Sequence, residues 1–350
     1  MELNETPKRT SRNFNINNIR LDDSILPDNI SSFDNIKLIN EKNIEINNII
    51  KDFIPTYGLG NDLTNYIKSN SNKNININIT NSINEDAQII FEFDENNKEL
   101  LENIEIVAQK GVKATIILKY TNKKDIKYFH AGLLHLIAEE NSNIDIIIVN
   151  LLNNLSYNLF SIENKLSKSA KVNYYIVDFG GKQSVTNYYT NLLGDYSENT
   201  VNTIYLGNNE QIFDLNYITE LRGMKTRIKM DVQGALNDNS KKHFKGSIDF
   251  KKGSKKAIGD ETESCMLLSD EAKSISLPML LCSEEDVEGN HSCSAGKIDS
   301  KELFYIQSRG FELKEAMKLM VIAKFNKILE NITNEDLKQE ILNQIDTRIN

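Results

Sequence analysis

A short acidic segment holds the residues best suited to chemistry. Residues 284–293 contain four carboxylates, an imidazole at His291 and a thiol at Cys293. Imidazole and thiolate are both good ligands for iron. In an extended segment, residues two apart point to the same face, so His291 and Cys293 could share one iron atom. A polar turn with Cys293 as a small buried hydrophobe explains the same residues, and residue chemistry alone favours that interpretation.

The other candidate residues indicate structural roles. His130 and His135 are five residues apart, which places them on opposite faces of a strand, so we do not expect them to share a metal ion. His243 follows two lysines and is interpreted as an exposed turn residue. The chain has no GxxxxGK[ST], GxGxxG, GxSxG, HExxH or CxxC motif, so neither a standard nucleotide site nor a zinc knuckle is predicted.

Composition excludes several classes of partner. The formal net charge is −9 and no long Lys/Arg block occurs, so nucleic acid is not an expected partner. No apolar run approaches the roughly 20 residues that span a bilayer, and the N-terminus does not resemble a signal peptide. Three cysteines do not form a disulfide framework. We therefore expect a cytoplasmic protein without a membrane or nucleic-acid partner.

Most of the chain between residues 75 and 281 is typical of short β-strands. The clearest example is residues 75–79, in which Ile alternates with Asn, the period of a half-buried strand. The recurrence favours a repetitive β architecture, and a sandwich, a barrel and a β-helix all fit it. A helix over residues 128–139 is an alternative for one segment. The further strand candidates are 89–93, 104–107, 114–118, 144–149, 172–177, 202–206, 211–215 and 245–250.

Helices are predicted at the C-terminal end. Asp299 begins one with a capping box, and Gly310 is placed to end it. A second helix should begin near Glu312 and is apolar almost all round, so it must be buried on more than one side, within this chain or against a partner. Thr333 is the expected N-cap of a third. The resulting division is a polar, partly helical segment (1–70), a β core (71–295) and a helical domain (296–350).

An ordered series of short segments resembles the core of the SufB/SufD family of iron–sulfur cluster assembly scaffold proteins. The resemblance is dense from Cys265 to Phe325, looser upstream to about residue 100, and absent in the first 70 residues. The matching segments are 106–108 (IVA), 244–248 (FKGSI), 267–272 (LLSDEA), 277–278 (LP), 285–287 (EDV), His291, 296–299 (GKID), 303–305 (LFY), 308–310 (SRG) and Ala316.

The sequences of these segments resemble SufD more closely than SufB. The LLSDEA run, the later proline and the EDV stretch are SufD-like, and Ser292 stands where SufB proteins have a Glu after the histidine. The chain also departs from SufD, because Gly289 occupies the position where the SufD-like pattern usually has a cysteine, while Cys293 lies two residues after the histidine. His291 itself matches.

The resemblance implies a right-handed parallel β-helix core flanked by an N-terminal mixed segment and C-terminal helices. It also implies a non-enzymatic scaffold that docks on a SufC-type ABC ATPase and pairs with a SufB-type paralogue or with itself. ATP-driven motion of SufC would expose a transient iron–sulfur cluster site, shared with the partner and not stably bound, with His291 and Cys293 in its wall. The expected partner-binding residues are Phe304, Tyr305, Arg309, Leu313, Met317, Met320 and Phe325.

Three alternatives remain open from the residues. A SufB-like scaffold that pairs with itself fits the same pattern. A solenoid enzyme acting on polysaccharides is disfavoured, because no aromatic platform for sugars is evident and Trp is absent. A solenoid that binds a protein without metal differs from the leading hypothesis only at His291 and Cys293.

Overall fold

The computed structural model describes residues 1–8, 16–41 and 44–349. Its four α-helices are α1 (Asn61–Asn70), α2 (Ser300–Ser308), α3 (Leu313–Leu329) and α4 (Glu335–Ile349), and a 3-10 turn spans Asp23–Ile25. The strands are β1 (Glu2–Leu3), β2 (Ile19–Arg20), β3 (Ile36–Ile39), β4 (Glu45–Asn47), β5 (Lys73–Ile79), β6 (Ala87–Phe93), β7 (Glu99–Ala108), β8 (Lys113–Asn122), β9 (Phe129–Ala138), β10 (Asn143–Asn150), β11 (Tyr157–Leu166), β12 (Lys171–Asp178), β13 (Gln183–Leu192), β14 (Glu198–Gly207), β15 (Ile212–Leu221), β16 (Arg227–Leu236), β17 (Lys241–Phe250), β18 (Ala257–Leu267), β19 (Lys273–Cys282) and β20 (Val287–Lys297).

Successive strands alternate between two nine-stranded sheets. One sheet has the order β20-β18-β16-β14-β12-β10-β8-β6-β3 and the other the order β19-β17-β15-β13-β11-β9-β7-β5-β4. Pairing is parallel from β5 and β6 onward, whereas β3 and β4 join antiparallel at the N-terminal end. The chain therefore winds as a parallel β-solenoid, which confirms the β-helix fold that the resemblance implies.

Side chains in register form the interior. Ile116, Ile146, Tyr174, Val201 and Met230 follow one another on adjacent strands, and all are fully buried. Each coil needs a side chain of suitable size at such a position but not the same residue, so no strict sequence repeat results. Stacked inward side chains supply the apolar burial that stabilises the solenoid.

The alternative helix over residues 128–139 is wrong, because this segment is strand β9. Leu134 and Leu136 point into the solenoid, while Ala131 and Leu133 lie under α1. A strand that is covered on both faces shows a continuous apolar run instead of alternation, and such a run is easily mistaken for a buried helix.

The interpretation of His243 as an exposed turn residue is also wrong. His243 lies in strand β17, and its side chain is 24% exposed with Nδ1 at 3.6 Å from Oδ2 of Asp214. His130 is fully buried inside the solenoid, where its ring nitrogens lie 2.6 Å from Asn158 Oδ1 and 3.0 Å from Glu102 Oε1. His130 is therefore structural, as predicted.

The C-terminal helices pack against the outer face of the even-numbered sheet. Phe325 of α3 is fully buried and lies 6.1 Å from Phe179, measured between ring centroids. The Asp299 side chain accepts hydrogen bonds from the first turn of α2, as predicted. Thr333 is not the cap of α4, because Asn334 Oδ1 accepts from the Leu337 amide at 2.9 Å. The proposed division into three domains stays a prediction.

Candidate functional site

The solenoid ends in two edge strands. β19 and β20 are the last strands of their sheets, and within the described chain each is paired on one side only. β20 pairs with β18 along its whole length, although most of its side chains are exposed. The segment at residues 287–293 is therefore extended, and the interpretation as a polar turn is wrong for these residues.

His291 and Cys293 lie on the same face of β20, as expected for an extended segment. In register, His291 is opposite Glu261 of β18 and Cys293 is opposite Glu263. Both glutamates are buried beneath the last coil. His291 is exposed, and Cys293 is half-buried with Sγ at 3.9 Å from Glu261 Oε1. The open end thus presents an imidazole and a thiol above two carboxyl groups.

Glu261 occupies a space that a glycine provides. A Cβ atom at Gly246 would lie 2.2 Å from Glu261 Oε2, so a larger residue there would force the Glu261 carboxyl group to move. The pKa of Glu261 is raised to about 8, mainly by burial; the hydrogen bond from Cys293 lowers it and the nearby Glu263 raises it. Glu261 is therefore largely protonated at neutral pH.

Glu263 is held as one member of a buried ion pair. Its Oε1 lies 2.7 Å from Lys242 Nζ, and both side chains are fully buried. Tyr205 and Ser276 each donate a further hydrogen bond to the Glu263 carboxylate, at 3.1 and 2.9 Å. Such a fully bonded pair tolerates burial because each charge has several partners. Cys265 lies on the same strand as Glu263 and is also buried.

The Cys293 thiol is not ready to bind metal in the isolated chain. Burial, together with the carboxylates of Glu261 and Glu263, raises its pKa to about 12. A thiol must lose its proton to ligate a metal, so a nearby cation or metal ion would have to supply the driving force. Within residues 1–8, 16–41 and 44–349, no group of three or more His, Cys, Asp or Glu side chains is arranged to hold a metal ion.

A second surface lies on helices α2 and α3. Phe304, Tyr305 and Leu313 are exposed, at 71%, 59% and 49% of their areas. Arg309 lies over the Tyr305 ring at 5.0 Å and donates to its hydroxyl at 2.8 Å. Between the two helices runs a groove of about 620 Å³, lined mainly by apolar side chains. The groove residues are Met266, Lys301, Glu302, Tyr305, Ile306, Leu319, Met320 and Ala323.

The seven residues expected to bind a partner therefore fall into two sets. Phe304, Tyr305, Arg309 and Leu313 are accessible. Met317 is half-buried, Met320 is 8% exposed in the groove, and Phe325 is buried in the helix–sheet contact. Leu319 and Ile306 line the groove but were not singled out by the sequence. The sequence showed that α3 is apolar almost all round, but it did not show which side of the helix the solenoid covers and which side remains open to a partner.

No helix of the described residues is both long and apolar enough to cross a membrane. Comparison with known proteins matches residues 91–324 to the SufBD core domain of the SUF system for FeS cluster assembly.

Curated relatives agree with this match. The chain is 23% identical to the iron–sulfur cluster assembly protein SufD of Bacillus subtilis over 75% of its length, and 23% identical to SufD of Escherichia coli over 69%. It is 24% identical to a SufBD family protein of Pyrococcus horikoshii over 67%. The alignments span 61%, 57% and 52% of these relatives. The chain therefore belongs to the SufBD family, the iron–sulfur cluster assembly proteins of the SUF system.

Proposed function

We propose that this chain is a SufD-like scaffold subunit, which acts in the cytoplasm with a SufC-type ABC ATPase and a SufB-type paralogue and catalyses no reaction by itself. Family membership and two SufD relatives support the assignment to cluster assembly. The two accessible surfaces of the structure, the open end of the solenoid and the α2–α3 groove, support the need for partners.

The main support for the proposal is the open end of the solenoid, which is formed by the edge strands β19 and β20. Among the described residues, β19 and β20 leave backbone donors and acceptors unpaired along one edge, and such edges pair readily with a strand from another chain. His291 and Cys293 lie on one of these edge strands, with no complete metal site among the described residues. Pairing with a SufB-type paralogue would cover the edges and add the missing ligands. A cluster would then be shared and transient.

The α2–α3 surface suits the ATPase. Exposed aromatic side chains around an apolar groove are typical of the core of a protein interface. The same α3 helix is anchored to the solenoid through Phe325 and Phe179, so a movement of the ATPase would be transmitted to the β core. In this mechanism, ATP binding brings two ATPase subunits together, shifts the paired scaffolds and opens the shared site.

Co-purification tests the proposal. The tagged chain is co-expressed with the SufC-type ATPase and the SufB-type paralogue of the same genome, as wild type, Phe304→Asp and Leu313→Asp. Leu193→Asp is the matched control, because Leu193 is 49% exposed, lies in the connection between β13 and β14, and does not line the α2–α3 groove. We expect the helix variants to lose the ATPase and keep the paralogue, and the control to keep both. A wild-type chain that elutes alone, or helix variants that retain the ATPase, would contradict the proposal.

A further inference from the structure

A separate cavity lies on the outer face of the odd-numbered sheet, away from the open end. It has a volume of about 240 Å³ and is enclosed between strands β7 and β9 and the segment at residues 50–53. Its size is below the roughly 300–1,000 Å³ of pockets for drug-sized ligands. His135, Asn103 and Glu105 line its polar side, and Ile50, Phe53 and Leu133 its apolar side.

His135 is the unusual group in this cavity. Its side chain is only 8% exposed, and neither ring nitrogen has a hydrogen-bond partner in the part of the chain that the structure describes. The ring stacks on Phe53, with centroids 4.0 Å apart and planes 6° from parallel. A buried polar group without a partner is costly, and such groups in native proteins need an explanation.

The imidazole is uncharged at neutral pH. Burial, together with the cations of Lys165 and Lys51, lowers the pKa of His135 to about 4. A neutral imidazole offers one N–H donor and one nitrogen acceptor. The ring can therefore both donate to and accept from a small molecule in the cavity.

The charges that line the cavity leave one cation and one anion available. Lys68 forms an ion pair with Asp52. Lys51 has no ion pair with any residue of the described ranges. Glu105 is 4% exposed, and its Oε2 accepts from Asn76 Nδ2 at 2.5 Å, whereas no hydrogen bond reaches its Oε1 from the described residues.

Glu105 is also placed beside the imidazole. It is in register with His135 on the neighbouring strand. Glu163 flanks His135 on the other side, but its carboxylate is occupied by the Thr56 amide at 2.7 Å and the Thr56 hydroxyl at 3.1 Å. In the part of the chain that the structure describes, a carboxylate oxygen without a partner, a neutral imidazole and an unpaired ammonium therefore border one small cavity.

We propose that this cavity binds a small zwitterion of the free α-amino acid class. The ammonium of the ligand lies against Glu105, its carboxylate against Lys51, and a polar group against the ring of His135. The apolar wall at Ile50, Phe53 and Leu133 accommodates the side chain of the ligand. The site is independent of the open end and its cluster chemistry.

Calorimetric titration of the full chain with individual L-amino acids tests this inference. We expect at least one to bind, with an affinity about ten-fold or more lower in Lys51→Gln and in Glu105→Gln, as for loss of a charge-assisted hydrogen bond. The N-acetylated form of the same amino acid should also bind more weakly. Lys98→Gln, at an exposed lysine that does not line the cavity, is the matched control and should bind as the wild type does.

A second measurement reports on His135 directly. In the chain labelled with ¹⁵N-histidine, the amino acid should shift the ring nitrogens of His135 and leave those of buried His130 unchanged. The proposal is overturned if no amino acid binds, if Lys51→Gln and Glu105→Gln bind as tightly as the control, or if only zinc chloride shifts the His135 ring. The zinc result would identify a metal site instead.

Discussion

At the scale of single residues, the open end holds a carboxyl group and a thiol that are both largely protonated at neutral pH. Glu261 and Cys293 lie 3.9 Å apart between carboxyl oxygen and sulfur, and burial raises the pKa of both. The Glu261 carboxylate disfavours ionisation of the Cys293 thiol, because two negative charges in a half-buried site repel, whereas the hydrogen bond from the thiol lowers the pKa of Glu261. The site is therefore close to neutral in the isolated chain and becomes anionic when a cation arrives.

Glu261 should make stability depend on pH. Its folded-state pKa of about 8 exceeds its ordinary 4.5, so between these values the folded state keeps a proton that the unfolded state loses. Stability therefore falls as the pH rises through this window. Each pKa unit corresponds to about 1.4 kcal/mol, so the loss is on the order of a few kcal/mol.

Glu261→Gln should remove this dependence, and urea unfolding at pH 5 and pH 9 measures it. At pH 9, the free energy of unfolding of the variant should be higher than that of the wild type. Glu288→Gln, at an exposed glutamate of β20, is the control and should behave as the wild type does. If the stability of wild type and Glu261→Gln depended equally on pH, the raised pKa of Glu261 would not be the cause of the dependence.

The contact between Glu261 and Cys293 predicts how fast the Cys293 thiol reacts. With iodoacetamide, exposed Cys282 should be alkylated first and Cys293 slowly, since the thiolate is the reactive form. Glu261→Gln should accelerate alkylation of Cys293 at alkaline pH, because removal of the carboxylate lowers the thiol pKa. Mass spectrometry of the modified peptides gives both rates. No acceleration would show that Glu261 does not raise the thiol pKa.

At the scale of elements, strand β20 shows why part of the site could not be predicted from the sequence. An end strand is covered by only one neighbour, so the apolar alternation typical of a strand is lost, and residues 287–293 look like a turn. The family resemblance identified His291, and the geometry of extended backbone placed Cys293 beside it. Glu261 and Glu263 could not be assigned to the site, because register between β18 and β20 links residues 30 apart.

Helix α4 provides a test of capping. Asn334→Ala should destabilise the chain by about 1 kcal/mol, because it removes the acceptor for the Leu337 amide. Thr333→Ala should have a smaller effect, since its hydroxyl makes only a 3.4 Å contact with Asp86. Denaturant unfolding of the two variants compares them. A larger loss for Thr333→Ala would restore Thr333 as the cap.

Buried and exposed aromatic residues of the C-terminal helices should contribute differently to stability. Phe325→Ala should cost about 3–5 kcal/mol of stability, because it leaves a cavity against Phe179. Phe304→Ala should change the free energy of unfolding by less than about 0.5 kcal/mol, because its ring is 71% exposed. Thermal and urea unfolding measure both. Similar losses in the two variants would mean that Phe304 is not a free surface residue.

At the scale of the whole molecule, the fold was predictable in kind and less so in detail. Alternating segments such as residues 75–79 indicated strands, but periodicity alone left sandwich, barrel and β-helix open, because all three share period-two strands. The cavity at His135 depends on Phe53, a residue of the N-terminal segment that stacks on the solenoid. Neither periodicity nor the family resemblance predicts a contact of this kind.

In the proposed function, the open end of this chain supplies part of a shared cluster site. Anaerobic reconstitution with ferrous iron and sulfide tests it most directly, applied to the chain alone, to the SufB-type paralogue alone and to the co-purified pair. We predict the strongest charge-transfer absorbance in the pair, its marked loss with His291→Ala, and no loss with Ser292→Ala, whose side chain points to the opposite face of β20. Equal absorbance for His291→Ala and wild-type pairs would show that His291 is not part of a shared cluster site.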